Sequence, residues 1–152
     1  MKFLNCIDVS ASGLTAQRLR MDTIANNMAN AETTRKADGS GPYKRQVVVF
    51  EAKESEYPRS VFRGMLEKQY TASGGGVRVR AIQELDEKDA PFRMLYEPGH
   101  QDADENGYVK YPNVNVVEEM INMISSTKAY EANAKVIEAS KNMAMRALDI
   151  GN

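Results

Sequence analysis

The chain reads as helix at both ends and as strands and turns between them, and this layout constrains its fold more than any other feature. At alternating steps of three and four residues stand Leu4, Ile7, Ala11, Leu14, Arg18, Met21, Ala25 and Met28, and only Arg18 is not apolar. Leu19 and Ile24 widen the stripe, giving an amphipathic helix with coiled-coil-like spacing over Ser10 to Asn30. Asn5, Asp8 and Ser10 are candidate N-caps. Gly13 inside the pattern costs about 1 kcal/mol relative to Ala. The run Asn26-Asn27-Met28-Ala29-Asn30 is poor in helix formers, so this helix is expected to need partners.

The C-terminal helix is stronger. Val116, Met120, Met123, Thr127, Tyr130, Ala134, Ile137, Lys141, Ala144 and Leu148 keep the same rhythm, with Thr127 and Lys141 the exceptions. Val117, Ile121 and Ile124 add a second stripe in the N-terminal half, which predicts fuller burial there. Asn115 and Glu118 have capping-box spacing, Glu118 and Glu119 suit the positive end of the helix dipole, and Glu131 to Lys135 is a favourable pair. Gly151 is a stop signal. From Val116 to Leu148 such a helix spans about 50 Å, more than a small middle domain covers. Part of its apolar surface is therefore expected to pack on other subunits.

The middle changes period. Tyr43 to Phe50 reads as a strand after the turn Asp38-Gly39-Ser40-Gly41-Pro42. Val77-Arg78-Val79-Arg80-Ala81-Ile82 alternates strictly after Gly74-Gly75-Gly76, as a half-solvated strand does. Phe92 to Tyr96 and Tyr108 to Tyr111 are shorter strands around the turn Glu97-Pro98-Gly99. Ala52 to Ser73 is charged, poorly periodic and read as a loop. The expected fold is α+β: long terminal amphipathic helices flanking a small antiparallel middle of three to five strands. The divisions are an N-terminal assembly helix over 1–34, a β-rich domain over 35–112 and a C-terminal assembly helix over 113–152.

At 152 residues one compact domain is the default. With 9 Met, no Trp and 4 Phe, the apolar surface is of the flexible kind that repacks against several partners. A net charge of −1 gives no electrostatic case for nucleic acid or an anionic membrane. No run approaches the ~20 apolar residues of a membrane span. Asn5, Asp8 and Ser10 interrupt the N-terminus, so no cleavable signal peptide is expected.

Sites for chemistry are weak, and neither a cofactor nor a metal is expected. Asp102-Ala103-Asp104-Glu105-Asn106-Gly107 opens like a calcium loop, but its ninth and twelfth positions are Lys110 and Asn113, where a bidentate Glu belongs last. His100 lacks His or Cys neighbours at ligand spacing. Cys6 is a lone thiol far in sequence from that His, so a nucleophile–base pair is not indicated. Gly74 to Gly76 lacks the Lys-Ser/Thr of a phosphate loop and reads as a hinge.

Several segments carry a family resemblance. Ser10-Ala11-Ser12-Gly13-Leu14-Thr15-Ala16-Gln17 followed by Asn26-Asn27-Met28-Ala29-Asn30 resembles the N-terminal signature of bacterial flagellar rod, hook and filament-axis proteins. Tyr96-Glu97-Pro98-Gly99-His100, Asp102 to Tyr108, Pro112 to Met120 and Ala129-Tyr130-Glu131-Ala132-Asn133 resemble the C-type proximal rod proteins within that group. Glu32 stands where the family's asparagine motif usually has another Asn.

The resemblance implies a structural, non-enzymatic subunit of the flagellar basal-body rod. Terminal helices would build the inner tube of a hollow shaft that carries torque to the hook, and the middle would form an outer domain. It further implies export through the flagellum's own type III apparatus and a periplasmic place in the rod. The implied partners are other proximal rod proteins, copies of this chain and the adaptor joining rod to membrane ring. The stripes nominate Leu14, Leu19, Met21, Ile24, Met28, Val117, Met120, Ile121, Ile124, Tyr130, Ala134 and Ile137 as the assembly interface, and the resemblance adds Asn26, Asn27 and Asn30. Two other classes compete: a soluble adaptor with a fixed intramolecular coiled coil, and a small enzyme using acids such as Asp102 and Asp104, which would need a pocket and a shifted carboxyl pKa.

Overall fold

The structure, a computed structural model, describes residues 2–36, 39, 41–53, 75–88 and 90–150, with side chains from residue 5. The side chain of Leu4, Asp38 and Ser40 of the expected turn, Gly74, the loop from residue 54 to Ser73, and Gly151 lie outside the described residues.

Helix α1 runs Lys2–Ala29 and helix α2 runs Val116–Ile150. Between them lie β1 (Gln46–Ala52), β2 (Val77–Glu84), β3 (Arg93–Tyr96) and β4 (Tyr108–Tyr111). The fold is α+β, as the periodicities predict. Helix α1 starts earlier than Ser10, so Asn5, Asp8 and Ser10 are not caps. They are helical residues, and Ser10 is buried. It closes without a glycine: Asn30 returns both its backbone N–H and its side-chain Nδ2 to the Asn26 carbonyl, at 3.1 and 2.9 Å. At the start of α2, Asn115 Oδ1 accepts the Val117 N–H at 3.1 Å, which is an N-cap. The reciprocal half of the capping box does not form, because Glu118 turns to Arg45 instead.

The strands form two separate two-stranded sheets, β1–β2 and β3–β4, rather than the single sheet expected. Backbone bonds from Lys53 to Gly76 and from Leu85 to Arg45 flank the first pair in antiparallel sense. In the second pair Arg93, Met94, Leu95 and Tyr96 face Tyr111, Lys110, Val109 and Tyr108. Val109 is fully buried, while Tyr96 and Tyr108 meet edge to face at 5.3 Å. Strand β1 starts three residues later than Tyr43. The backbone N–H of Tyr43 bonds the Thr33 carbonyl at 3.1 Å, and that of Arg45 bonds Asn113 Oδ1 at 2.8 Å, so neither enters a ladder.

Contacts group the chain into two compact units, each holding part of both helices. The first takes Met1–Arg18, Phe50–Arg80 and Lys128–Asn152. In it Ser140 Oγ reaches Cys6 Sγ at 3.9 Å, and a Cβ built on Gly13 would lie 2.9 Å from Asn133 Nδ2. Ser12 Oγ accepts the Val77 N–H at 3.1 Å and fixes the start of β2 beside α1. The second takes Leu19–Val49 and Ala81–Thr127. In it Thr127 Oγ1 lies 3.6 Å from Met21 Sδ, and Asn27 meets Glu119. Within each unit the α1 number rises as the α2 number falls, so the two helices pair antiparallel inside one chain.

Candidate functional site

The helix pair is built from an unexpected face. On α1 the buried positions are Ser10, Ala16, Thr23, Ile24 and Asn27; on α2 they are Glu119, Ser126 and Ser140, with Asn133 half-buried. On α2 the seam follows the expected rhythm displaced by one residue, about 100° round the helix, and Ser10, Ile24 and Asn27 do the same on α1, where Ala16 and Thr23 stand two residues before the expected positions. The displacement has a physical cause. Small residues let two backbones approach closely, and their hydroxyls and amides are satisfied on their own helix. Thr23 Oγ1 donates to the Leu19 carbonyl at 2.9 Å, Ser126 Oγ to Asn122 at 2.8 Å and Asn133 Nδ2 to Ala129 at 3.0 Å. The bulky stripe then flanks the seam or faces away from it.

Each nominated residue has a definite place. Ile24 and Asn27 are buried against the chain itself; Leu14, Leu19, Met21, Met28, Asn30 and Ile137 are half-buried; Asn26, Met120, Tyr130 and Ala134 are exposed. Val117, Ile121 and Ile124 were expected to be the most completely buried part of α2, and they are not. They are 65%, 63% and 62% exposed. They lie on the side of the helix opposite Glu119 and Ser126, which occupy the seam, so among the described residues the chain does not cover them. Three bulky aliphatic side chains in water on one helix face form a surface that association would bury.

One pole of the seam is a polar knot. Asn27, 1% exposed, uses all four of its hydrogen-bonding positions. Its Oδ1 accepts the Gln46 N–H at 2.9 Å and the Tyr43 hydroxyl at 3.0 Å. Its Nδ2 donates to the Gln46 carbonyl at 2.8 Å and to Glu119 Oε2 at 3.2 Å. Glu119, also 1% exposed, takes two bonds from Arg45 on Oε1, from Nε at 2.8 Å and from Nη2 at 2.6 Å. The Arg45 fork extends to Glu118 at 2.9 Å. Burial opposes the Arg45 charge, but the bonds and charges of Glu119 and Glu118 outweigh it and hold the guanidinium above its ordinary pKa. Burial also raises the Tyr43 hydroxyl, with Glu84 and Glu119 adding to the effect. A buried pair of this kind is costly to break, since the survivor keeps an uncompensated charge.

The calcium-like loop has another role. Asp102 accepts the Thr34 hydroxyl at 2.8 Å and pairs with Arg35, and these two partners occupy its carboxylate. Its backbone N–H donates to His100 Nδ1 at 3.1 Å. Gly107 supplies the positive φ, +80°, that the turn into β4 requires.

Comparison with known proteins decides the class. A family model described as flagella basal body rod protein matches residues 7–35. A second, described as flagellar basal body rod FlgEFG protein C-terminal, matches residues 105–150. The chain is 43% identical over 154 residues to the flagellar basal-body rod protein FlgC of Borreliella burgdorferi, covering 99% of this chain and 98% of that one. It is 39% identical to FlgC of Bacillus subtilis over 154 residues, covering 99% of both. The chain belongs to the FlgC family of flagellar basal-body rod proteins. FlgC of Escherichia coli O6:H1 is 38% identical over 151 residues and 99% of each chain. This chain is accordingly a structural subunit of the basal-body rod. The matched segments take in α1 from residue 7 onward and the whole of α2: Asn27 lies in the first and Glu119 in the second.

Sequence reading missed Arg45, Tyr43, Asn113 and the seam itself. One signal was available. Glu119, Ser126, Asn133 and Ser140 recur every seven residues along α2, a heptad of polar and small residues hidden beside a more conspicuous apolar one.

Proposed function

We propose that the chain assembles into the proximal rod as an antiparallel helix pair whose outward aliphatic face packs on the helices of neighbouring rod subunits. The observation that carries this is the exposure of Val117, Ile121 and Ile124 on the α2 face opposite the seam. Met120 beside them, and Leu19, Met21 and Met28 on α1, extend the contact within that unit, while Leu14 and Tyr130 offer the first unit's own contact. Residues 35–112 form the outer domain. Head-to-tail contacts that do not close on themselves generate a helical tube rather than a ring, and a tube crossing the periplasm is what passes torque from motor to hook. Its neighbours are other proximal rod proteins, further copies of this chain and the adaptor joining the rod to the membrane ring. Export runs through the flagellar type III apparatus, and a subunit of this kind needs no catalytic centre. A fixed intramolecular coiled coil acting as a soluble adaptor would have no use for an aliphatic face turned to water.

The test is Ile124→Asp, alone and with Ile121→Asp, in a strain lacking the native gene. The expected outcome is normal export of the chain with its loss from purified hook–basal bodies, read by mass spectrometry, and no hook by electron microscopy. Normal incorporation of the double variant would overturn the assignment of this face.

A further inference from the structure

The helix seam differs from an apolar coiled-coil seam in one respect with consequences. Apolar seams tolerate a slip of one turn, because one aliphatic layer replaces another. A seam carrying a buried charge and a saturated amide does not. A slip of one helical turn, about 5.4 Å, would place Asn27 opposite Asn115 or Met123. It would leave Glu119 buried without Asn27, and Gln46 and Tyr43 would lose the side chain that answers them. The first unit has an independent restriction. Gly13 is the one glycine of α1, and the space where its Cβ would stand is taken by Asn133, 2.9 Å away. A slip would set Val9 or Gln17 against that amide.

We infer that the Asn27–Glu119–Arg45 knot is a register lock for the helix pair, and that this lock, rather than apolar packing, sets which turn of α2 lies against which turn of α1. Arg45 comes from the residue before β1, so the lock also ties the entry of the first sheet to both helices at one point. Asn27 reads the backbone of Gln46 on both its N–H and its carbonyl, as a paired strand residue would. The knot therefore orders three segments at once, and each fixes the rotation of the other two. The specificity lies in residues that contribute little hydrophobic energy. It holds whether or not the outward face meets a rod subunit.

Cysteine pairs in the full-length chain test this within one unit. In a Cys6→Ser background, Met21→Cys with Thr127→Cys reports the observed register, since Met21 Sδ and Thr127 Oγ1 lie 3.6 Å apart. Met21→Cys with Met123→Cys reports a slip of one turn. Under mild oxidation of dilute protein, the first pair is expected to form an intrachain disulfide about tenfold faster than the second, because the bond has a narrow geometric range. Adding Glu119→Ala or Asn27→Ala is expected to bring the two rates within about threefold of each other. Should Glu119→Ala lose its helical circular dichroism, Asn27→Ala, which leaves the Arg45–Glu119 pair in place, is judged alone by the same criterion. An undiminished preference in these variants would overturn the lock, as would disulfides that form only between chains.

Discussion

Asn27 Nδ2 donates to Glu119 Oε2 across 3.2 Å, joining the last turn of α1 to the first turn of α2 in a place where both side chains are almost without solvent. Neither residue would be chosen for a seam on hydrophobicity. Their burial is made possible by partners outside the helices: the Gln46 backbone, the Tyr43 hydroxyl and the Arg45 guanidinium.

Removing one member of this knot is expected to cost more than the loss of a single hydrogen bond. Glu119→Ala strands Arg45, which Glu118 only partly answers, and the loss of unfolding free energy is expected to be about 3 kcal/mol. Asn27→Ala leaves the Gln46 N–H and carbonyl unanswered and is expected to cost roughly 2–3 kcal/mol. Glu119→Gln keeps volume and an acceptor and is expected to fall well short of the alanine variant. Urea unfolding with a common slope for all variants checks the ordering. A Glu119→Ala chain as stable as the parent would show that the pair contributes nothing.

Gly13 illustrates a local cost accepted for packing. Alanine in a helix interior is better than glycine by about 1 kcal/mol, so Gly13→Ala would stabilise an isolated helix. Here the new methyl group meets the Asn133 amide at 2.9–3.2 Å. The expected outcome is a net loss for Gly13→Ala. With Asn133→Ala the pair is expected to be non-additive, the double variant recovering most of that loss. Thermal melts of the four chains measure the coupling, and strict additivity would remove the close approach as the reason for the glycine.

Gly76 is under two constraints that can be separated. Its φ of +94° disfavours any side chain, and a Cβ there would collide with Ser12 Oγ. Gly76→Ala is expected to destabilise the chain by about 1–3 kcal/mol. Ser12→Ala in the same chain is expected to relieve only the steric part, because the backbone strain remains and Val77 N–H loses its acceptor. Full rescue by Ser12→Ala would mean that the dihedral costs nothing.

The period of both helices was legible in the sequence, but their phase was not. Counting apolar residues finds where Leu14, Met21, Met120 and Met123 recur. It cannot tell that the closer-packed face one residue earlier, with Ser10, Gly13, Ser126 and Asn133, becomes the seam. Gly13 looks like a defect when only the helix is considered. Glu119 has an adequate local explanation in the helix dipole, and its partner Arg45 lies 74 residues away. The strands after Gly76 and around Pro98 follow from alternation and turn chemistry. Where β1 starts depends on where the Arg45 and Tyr43 backbone N–H groups go, which local pattern does not encode. The stripe Val117, Ile121 and Ile124 is legible as an apolar surface for association, but its exposure within the chain is not, because the polar seam that displaces it depends on Arg45 and Asn27.

Asp102 gives the chain an acid-sensitive contact with a sign that can be worked out. The Thr34 hydroxyl bond holds its carboxyl below the ordinary 3.8; partial burial works against this, and Arg35 supports it. A carboxylate whose folded pKa is depressed contributes stability that is present above the unfolded value and is lost as pH falls through the folded one. The contact between Thr34, Arg35 and Asp102 is therefore expected to hold at neutral pH and to weaken only below about pH 3.8, where the unfolded chain begins to take up the proton first. Following the Asp102 carboxyl carbon by NMR should give a midpoint below 3.8 in the parent chain. Thr34→Ala removes the largest cause, so its midpoint is expected to move up toward the ordinary value, and the acid loss of stability to shrink with it. A midpoint unmoved by Thr34→Ala would place the anchoring of this turn on Arg35 alone.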